Sequence, residues 1–400
     1  MTHIAVVGAG MVGLASALNL ADAGYDVTVL DRKGVAAGAS WGNAGFICPS
    51  MTFPLSAPGE WKNGFDAVTN KDAPLALPQP FNPKLWKFLT TFALQMTETK
   101  FKRAVDELAP DLKDSIASFE RLKDFGVEGK FNHSDFTVGL GSEAELHHFI
   151  EETGINRDAG VPSVVETFDP REKPYFTDLV THGAIVKDQA YIDPPAFVQS
   201  IADAAQKLGV KIVTDAEIVT GHVGADAVGL VDAQGRSYSF DGVVIAAGAW
   251  SDELLRKLHG KSATIGMAAG RGYSFTAQVD PEYLPTTPVY LPTTRVVFTP
   301  YRGGVRVGGT MEFLDPDAPL RPERIESMKR VASKYMKGID LENTTDHWMG
   351  PRPVSPDGSE RVEAVSRRTF VASGHGMWGI TLGPRAGEII AKLVTDRLGR

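Results

Sequence analysis

The sequence predicts an α/β fold in two parts: a parallel sheet with helices, assembled from stretches far apart in the chain, and a second domain of antiparallel sheet plus helices. Three observations predict it. The first 31 residues read as strand, glycine turn, helix and strand: apolar residues 4–7, a helical stripe over 11–23 carrying Leu14, Ala17, Leu18 and Ala21, and apolar residues 27–30. The same alternation resumes over 194–214 and 243–246, and again over 370–372 with a helix from 384 to about 398. Between 262 and 310 the pattern changes to short alternating strands with turns at Pro281, Pro292 and Gly303-Gly304.

Bulk composition agrees with two domains. A chain of 400 residues is too long for one compact core, and 43% hydrophobic with 22% charged residues is ordinary for a globular protein. Lys plus Arg number 41 against 49 for Asp plus Glu, a net charge of −8. That balance, with no basic run, excludes nucleic acid as a partner class. The single cysteine, Cys48, builds neither a disulfide framework nor a cysteine metal cluster, and no metal site is expected. Residues 1–4 run into the first strand without the features of a secretory signal, and no stretch is long enough to span a bilayer, so a cytoplasmic protein is expected.

Along the rest of the chain, residues 49–83 form a long Pro- and Gly-rich excursion. Helical periodicity follows over 84–96 and 101–125, with Pro110 expected to break the second stretch. Strands are expected at 136–140 and 184–187, and charged helices at 143–153 and 321–336. The aromatic, basic stretch 81–101, with Trp86, Phe88, Leu89, Phe92 and Leu94, reads as a core face or as a peripheral membrane contact.

Gly8-Ala9-Gly10-Met11-Val12-Gly13 lies between the first strand and first helix. In this setting the first glycine permits a tight turn, the second lets a pyrophosphate approach the backbone, and the third lets helix and strand pack closely. Asp31 closes the second strand, where a carboxylate meets an adenosine ribose, with Arg32 beside it. The loop alone does not separate NAD from FAD. Residues 38–45, containing Ser40, Asn43, Ala44 and Gly45, add a second small-residue stretch suited to close passage of an extended FAD.

These stretches, together with residues 246–251 (Ala-Ala-Gly-Ala-Trp-Ser), 348–353 (Trp-Met-Gly-Pro-Arg-Pro), 374–382 and the weaker Arg271-Gly272-Tyr273, resemble the FAD-dependent D-amino-acid oxidase and dehydrogenase superfamily. The similarity spans the chain and leans towards bacterial D-amino-acid dehydrogenase small subunits and glycine- or glyphosate-oxidase-like members. The resemblance implies a discontinuous Rossmann-type FAD domain, at 1–82, 193–265 and 340–400. It also implies a substrate domain at 83–192 and 266–339, with its antiparallel sheet roofing the flavin. It implies non-covalent FAD: this chain has Trp41 where relatives bonded through histidine carry that residue, and no cysteine in its C-terminal half.

The resemblance also places the chemistry. Ala247, Gly248 and Trp250 would pass near the cofactor. Gly376, Gly379, Ile380 and Thr381, at the mouth of the terminal helix, would stabilise negative charge on the reduced ring. Gly350 precedes Arg352, whose guanidinium would hold a substrate carboxylate bidentately. Tyr273 and Arg271 are further candidates for the substrate, although a core tyrosine with a satisfied hydroxyl reads equally well. His375 reads as a residue that orients its loop rather than as a base. The expected reaction is hydride loss from the α-carbon of an amino acid, with oxygen or a quinone taking the electrons; oxidation of a secondary amine is the alternative.

Overall fold

The computed structural model describes residues 1–58, 73–78 and 82–399. A six-stranded sheet runs in the order Arg361–Ala364, Thr369–Ser373, Gly242–Ile245, His3–Val7, Asp26–Leu30, Lys211–Val213. All pair in parallel except the edge strand Arg361–Ala364. Both faces of its centre are covered, which explains the unbroken apolar runs. Ile4 and Val6 point towards the helices Met11–Asp22, Pro194–Lys207 and Gly379–Leu398. Ala5 and Val7 point the other way, against a three-stranded antiparallel sheet and the helix Ser251–His259. The first and last helices pack so closely that a Cβ on Gly387 would lie 2.6 Å from the carbonyl carbon of Ala15.

The second layer is a ten-stranded sheet, mostly antiparallel, with Thr345–Val354 at one edge beside Ala268–Gln278, then Gly304–Phe313 and Val296–Tyr301. The helix Pro322–Tyr335 covers one face with Ile325, Met328 and Ala332. The other face meets the nucleotide layer through residues 38–45: Ser274 donates to the Gly42 carbonyl at 2.7 Å and Thr299 to the Ala44 carbonyl at 2.6 Å.

Sheet membership divides the chain differently from the expected boundaries at three places. Thr345–Val354 and the short strands Phe46–Ile47 and Leu75–Ala76 hydrogen-bond into the ten-stranded sheet rather than the parallel one. Pro351 and Pro353 suggest a loop, but a strand with one neighbour has a side that needs no N–H donors.

Pro110 does not break its helix, which runs unbroken over Glu98–Arg121. Proline there leaves the Asp106 carbonyl without its usual donor. Both residues lie on an exposed helix face, where that loss costs least, while Leu108, Ala109 and Leu112 are held in a core with Leu382. The terminal helix starts at Gly379, five residues before the expected Pro384. In the stretch 81–101, Phe88 is buried against Phe92 and Phe313, whereas Trp86 is 53% and Leu94 63% exposed. Phe81 and part of the 49–83 excursion lie outside the described residues. Among the described residues no helix is long and apolar enough to cross a membrane.

Candidate active site

The glycine turn is shaped by contacts that exclude side chains. Gly8 has φ +119°, and a Cβ there would sit 2.3 Å from the Ala246 carbonyl oxygen; one on Gly13 would sit 1.9 Å from that of Gly8. Gly10 caps the following helix without a side-chain bond, although Ser40 Oγ accepts from the Met11 N–H at 3.1 Å. The helix therefore presents amide donors to an anion. Asp31 accepts from the Ala9, Lys33 and Gly34 amides, each at 2.8 Å, tying the turn to the end of the second strand. Amide donors beside a carboxylate fit the pyrophosphate and ribose of a dinucleotide.

A cavity of about 500 Å³ runs from this turn to the ten-stranded sheet. Among the expected cofactor residues, Gly8, Gly10, Met11, Val12, Asp31, Arg32, Ser40, Asn43, Ala247, Gly248, Trp250, Gly376, Gly379 and Ile380 line it. Gly13, Ala44, Gly45, Gly350 and Thr381 support the wall from behind. A Cβ on Gly45 would lie 2.1 Å from the Ile192 carbonyl oxygen, one on Gly350 would meet the Trp348 ring, and Thr381 donates to the Phe46 carbonyl.

Arg352 reaches the cavity from the edge strand, opposite Gly270. Its guanidinium crosses Gly272, where a Cβ would lie 2.1 Å from Nη2, and Nη1 donates to the Thr310 carbonyl at 2.9 Å. Thr310 holds φ +56°, costly for a β-branched residue, at the irregularity where the strands 268–278 and 304–313 slip register. No carboxylate among the described residues pairs with Arg352, and burial pushes its pKa down to about 10. It remains a cation at neutral pH, with its charge free for a ligand.

His375 lies in the cavity wall, its Nε2 3.1 Å from Glu360 Oε2, and the two ends of this contact are shielded from solvent. The helix that follows begins at Gly379 without a side-chain cap.

Arg271 and Tyr273 are not brought to the cavity. Successive strand residues face opposite sides, so these two point towards the helix Pro322–Tyr335 while Gly270, Gly272 and Ser274 face the nucleotide layer. Arg271 Nε lies 3.4 Å from Glu312 Oε1, and its Nη2 donates to the Tyr273 hydroxyl at 3.0 Å. Tyr273 in turn donates to Glu312, and Arg321 reaches the same carboxylate at 3.0 Å. Burial, then the adjoining Glu312, raises the Tyr273 pKa. Cys48 is buried outside the cavity wall, its thiol pushed up to about 12 by burial.

Sequence reasoning missed Asp317, Gly272, Thr310 and Glu312. Asp317 had a visible signal, since 315–319 read Asp-Pro-Asp-Ala-Pro, a turn-forming stretch. Gly272 had one too: small residues alternating with Arg271 and Tyr273 mark a face pressed by another group.

A glycine turn at the carboxyl end of a central parallel strand, opening into a cavity whose far end holds an arginine that no acid among the described residues pairs with, is the arrangement of a dinucleotide-dependent enzyme of the flavoprotein type. The chain belongs to the DAO family of FAD dependent oxidoreductases, whose pattern it matches over residues 3–393. It is 29% identical to a D-amino acid dehydrogenase of Methylobacterium radiotolerans, over 99% of this chain and 96% of that one. It is 28% identical to a D-amino acid dehydrogenase of Phenylobacterium zucineum, over 99% and 94%. Its fold resembles the crystal structure of glycine oxidase from Geobacillus kaustophilus, with TM-score 0.72, 20% identity and 99% and 96% of the two chains covered.

Proposed function

We propose that this enzyme oxidises the Cα–N bond of an amino acid, foremost a D-amino acid, giving an imine that water converts to a keto acid and ammonia. The observation that carries the reading is Arg352: a cation lining the cavity without a carboxylate partner among the described residues, while the nucleotide cradle occupies the other end. A carboxylate substrate supplies the missing partner through two parallel hydrogen bonds. The likeness to D-amino acid dehydrogenases supports the stereochemistry.

Bound non-covalently in the cavity, FAD supplies the hydride acceptor. The protein's part is to aim and to exclude water: Arg352 fixes the carboxylate, and His375, set against Glu360, orients the loop at the mouth of the terminal helix. Oxygen or a quinone accepts the electrons. The exposed Trp86 and Leu94 support peripheral contact with a membrane, to be checked by sedimentation with anionic vesicles.

The deciding experiment is anaerobic bleaching of the bound flavin by D-amino acids, L-amino acids and N-methylated glycines. Bleaching by D-amino acids is expected. Bleaching by the N-methylated glycines alone would move the function to secondary amines.

A further inference from the structure

We propose that Asp317 is a positioning residue for the adenosine end of FAD, acting through Arg32 and Trp250. The proposal rests on reading the cavity as the FAD site.

Arg32 follows Asp31, the residue at the ribose position, so its side chain marks the nucleotide end of the cavity. The guanidinium lies 3.8 Å above the Trp250 ring. Asp317 joins the two: Oδ1 accepts from Arg32 Nη2 at 2.8 Å and Oδ2 accepts from Trp250 Nε1 at 2.9 Å. Arg32, Trp250 and Asp317 all line the cavity. Both carboxylate oxygens are engaged, so neither the guanidinium nor the indole can turn without breaking a charge-assisted bond.

Asp317 comes from the other layer, and its loop is built to deliver it. Arg271, buried beneath the ten-stranded sheet, donates to the Pro319 carbonyl at 2.7 Å and to the Asp315 carbonyl at 3.4 Å, one on each side of Asp317 and two residues away. Asp315 also accepts from the Asp317 amide at 2.9 Å. The buried Arg271 thus touches the cavity indirectly, through the loop that carries Asp317. The stack of Arg32 on Trp250 forms a fixed wall where an adenosine packs, and the loop closes that wall from the opposite layer.

The test is the rate of FAD release from holoenzyme, followed by flavin fluorescence, for wild type, Asp317→Asn, Trp250→Phe and the double variant at low and high salt. Asp317→Asn is expected to release FAD about fivefold faster, a scale set by one surface ion pair and one hydrogen bond. The double variant is expected to be less than multiplicative, because both changes break the same link. Added salt is expected to speed the wild type towards Asp317→Asn and to leave that variant nearly unmoved. Unchanged release, multiplicative effects, or a lower melting temperature with wild-type release would overturn the proposal. A wild-type protein purified without flavin would instead overturn the reading of the cavity itself.

Discussion

Arg271 and Arg352 lie on neighbouring strands, with Arg271 opposite Pro351 in the register, yet their surroundings are opposite in kind. Beneath the sheet, Arg271 is fully buried with Glu312, Tyr273 and two loop carbonyls around it. Above it, Arg352 has one carbonyl and, among the described residues, no acid. A guanidinium is costly to bury, so each pattern says what the charge is for. One is balanced within the protein and fixes structure. The other keeps its Coulomb attraction for a ligand.

The sharpest way to break this comparison is Arg352→Ala. Losing the buried partner of a carboxylate is expected to lower kcat/KM by about 100- to 1,000-fold while FAD content stays near wild type, and Arg352→Lys should recover only part, lacking the fork. Steady-state kinetics beside a flavin absorbance ratio measures both. Since Arg352 holds its charge below about pH 10, a rise of kcat/KM from neutral pH to about 9 should report deprotonation of the substrate ammonium. A flat profile would contradict loss of hydride from the neutral amine.

Glu312→Gln should act in the opposite way. It leaves the buried Arg271 without its counter-charge and takes from Arg321 one of its two carboxylates, the other being Glu323, at a cost on the order of 3 kcal/mol, read as a lower melting temperature. If this variant lost substrate affinity and kept its melting temperature, the assignment of the two faces would have to be reversed.

Gly272→Ala tests the floor under Arg352 without touching its charge. The added Cβ would overlap the guanidinium, and the misplacement should lower kcat/KM by about 10- to 100-fold. Unaltered kinetics would mean that the orientation of Arg352 does not matter. The smallest effect is expected from Tyr273→Phe, which removes one hydroxyl between Arg271 and Glu312 and should cost about 1 kcal/mol of stability, with KM unchanged. A large rise in KM would place Tyr273 at the substrate.

The glycine turn, Asp31 and the strands that flank them are legible in the sequence because each rests on local rules: apolar runs, turn glycines, an acid at a strand end. The separated halves of the parallel sheet are legible for the same reason, as is Arg352, held between two prolines. Arg271 and Tyr273 are a different case. Their role depends on which face of a strand they occupy, and that is fixed by register against residues 345–354 and 304–313, which no local pattern carries. The Arg271 partnership with Glu312 spans two strands, and the Asp317 link spans two layers. Pro110 was misleading because the packing of Leu108 and Leu112 outweighs one lost hydrogen bond on a wet helix face.

The parallel sheet also has a history in time. His3–Val7 can pair with Asp26–Leu30 early in synthesis, but its other neighbour is Gly242–Ile245, and beyond that comes Thr369–Ser373. At about 5–20 residues per second, roughly 20 to 70 seconds separate the emergence of the first strand from that of residues near 370. Until then Ile4, Val6, Leu14 and Leu18 lack the cover of the helix Gly379–Leu398, and the nascent chain carries an apolar surface of the kind that chaperones bind. The glycine turn is made early, but the cavity it serves lacks the wall formed by 372–380 until that segment arrives, so cofactor capture belongs to the end of folding.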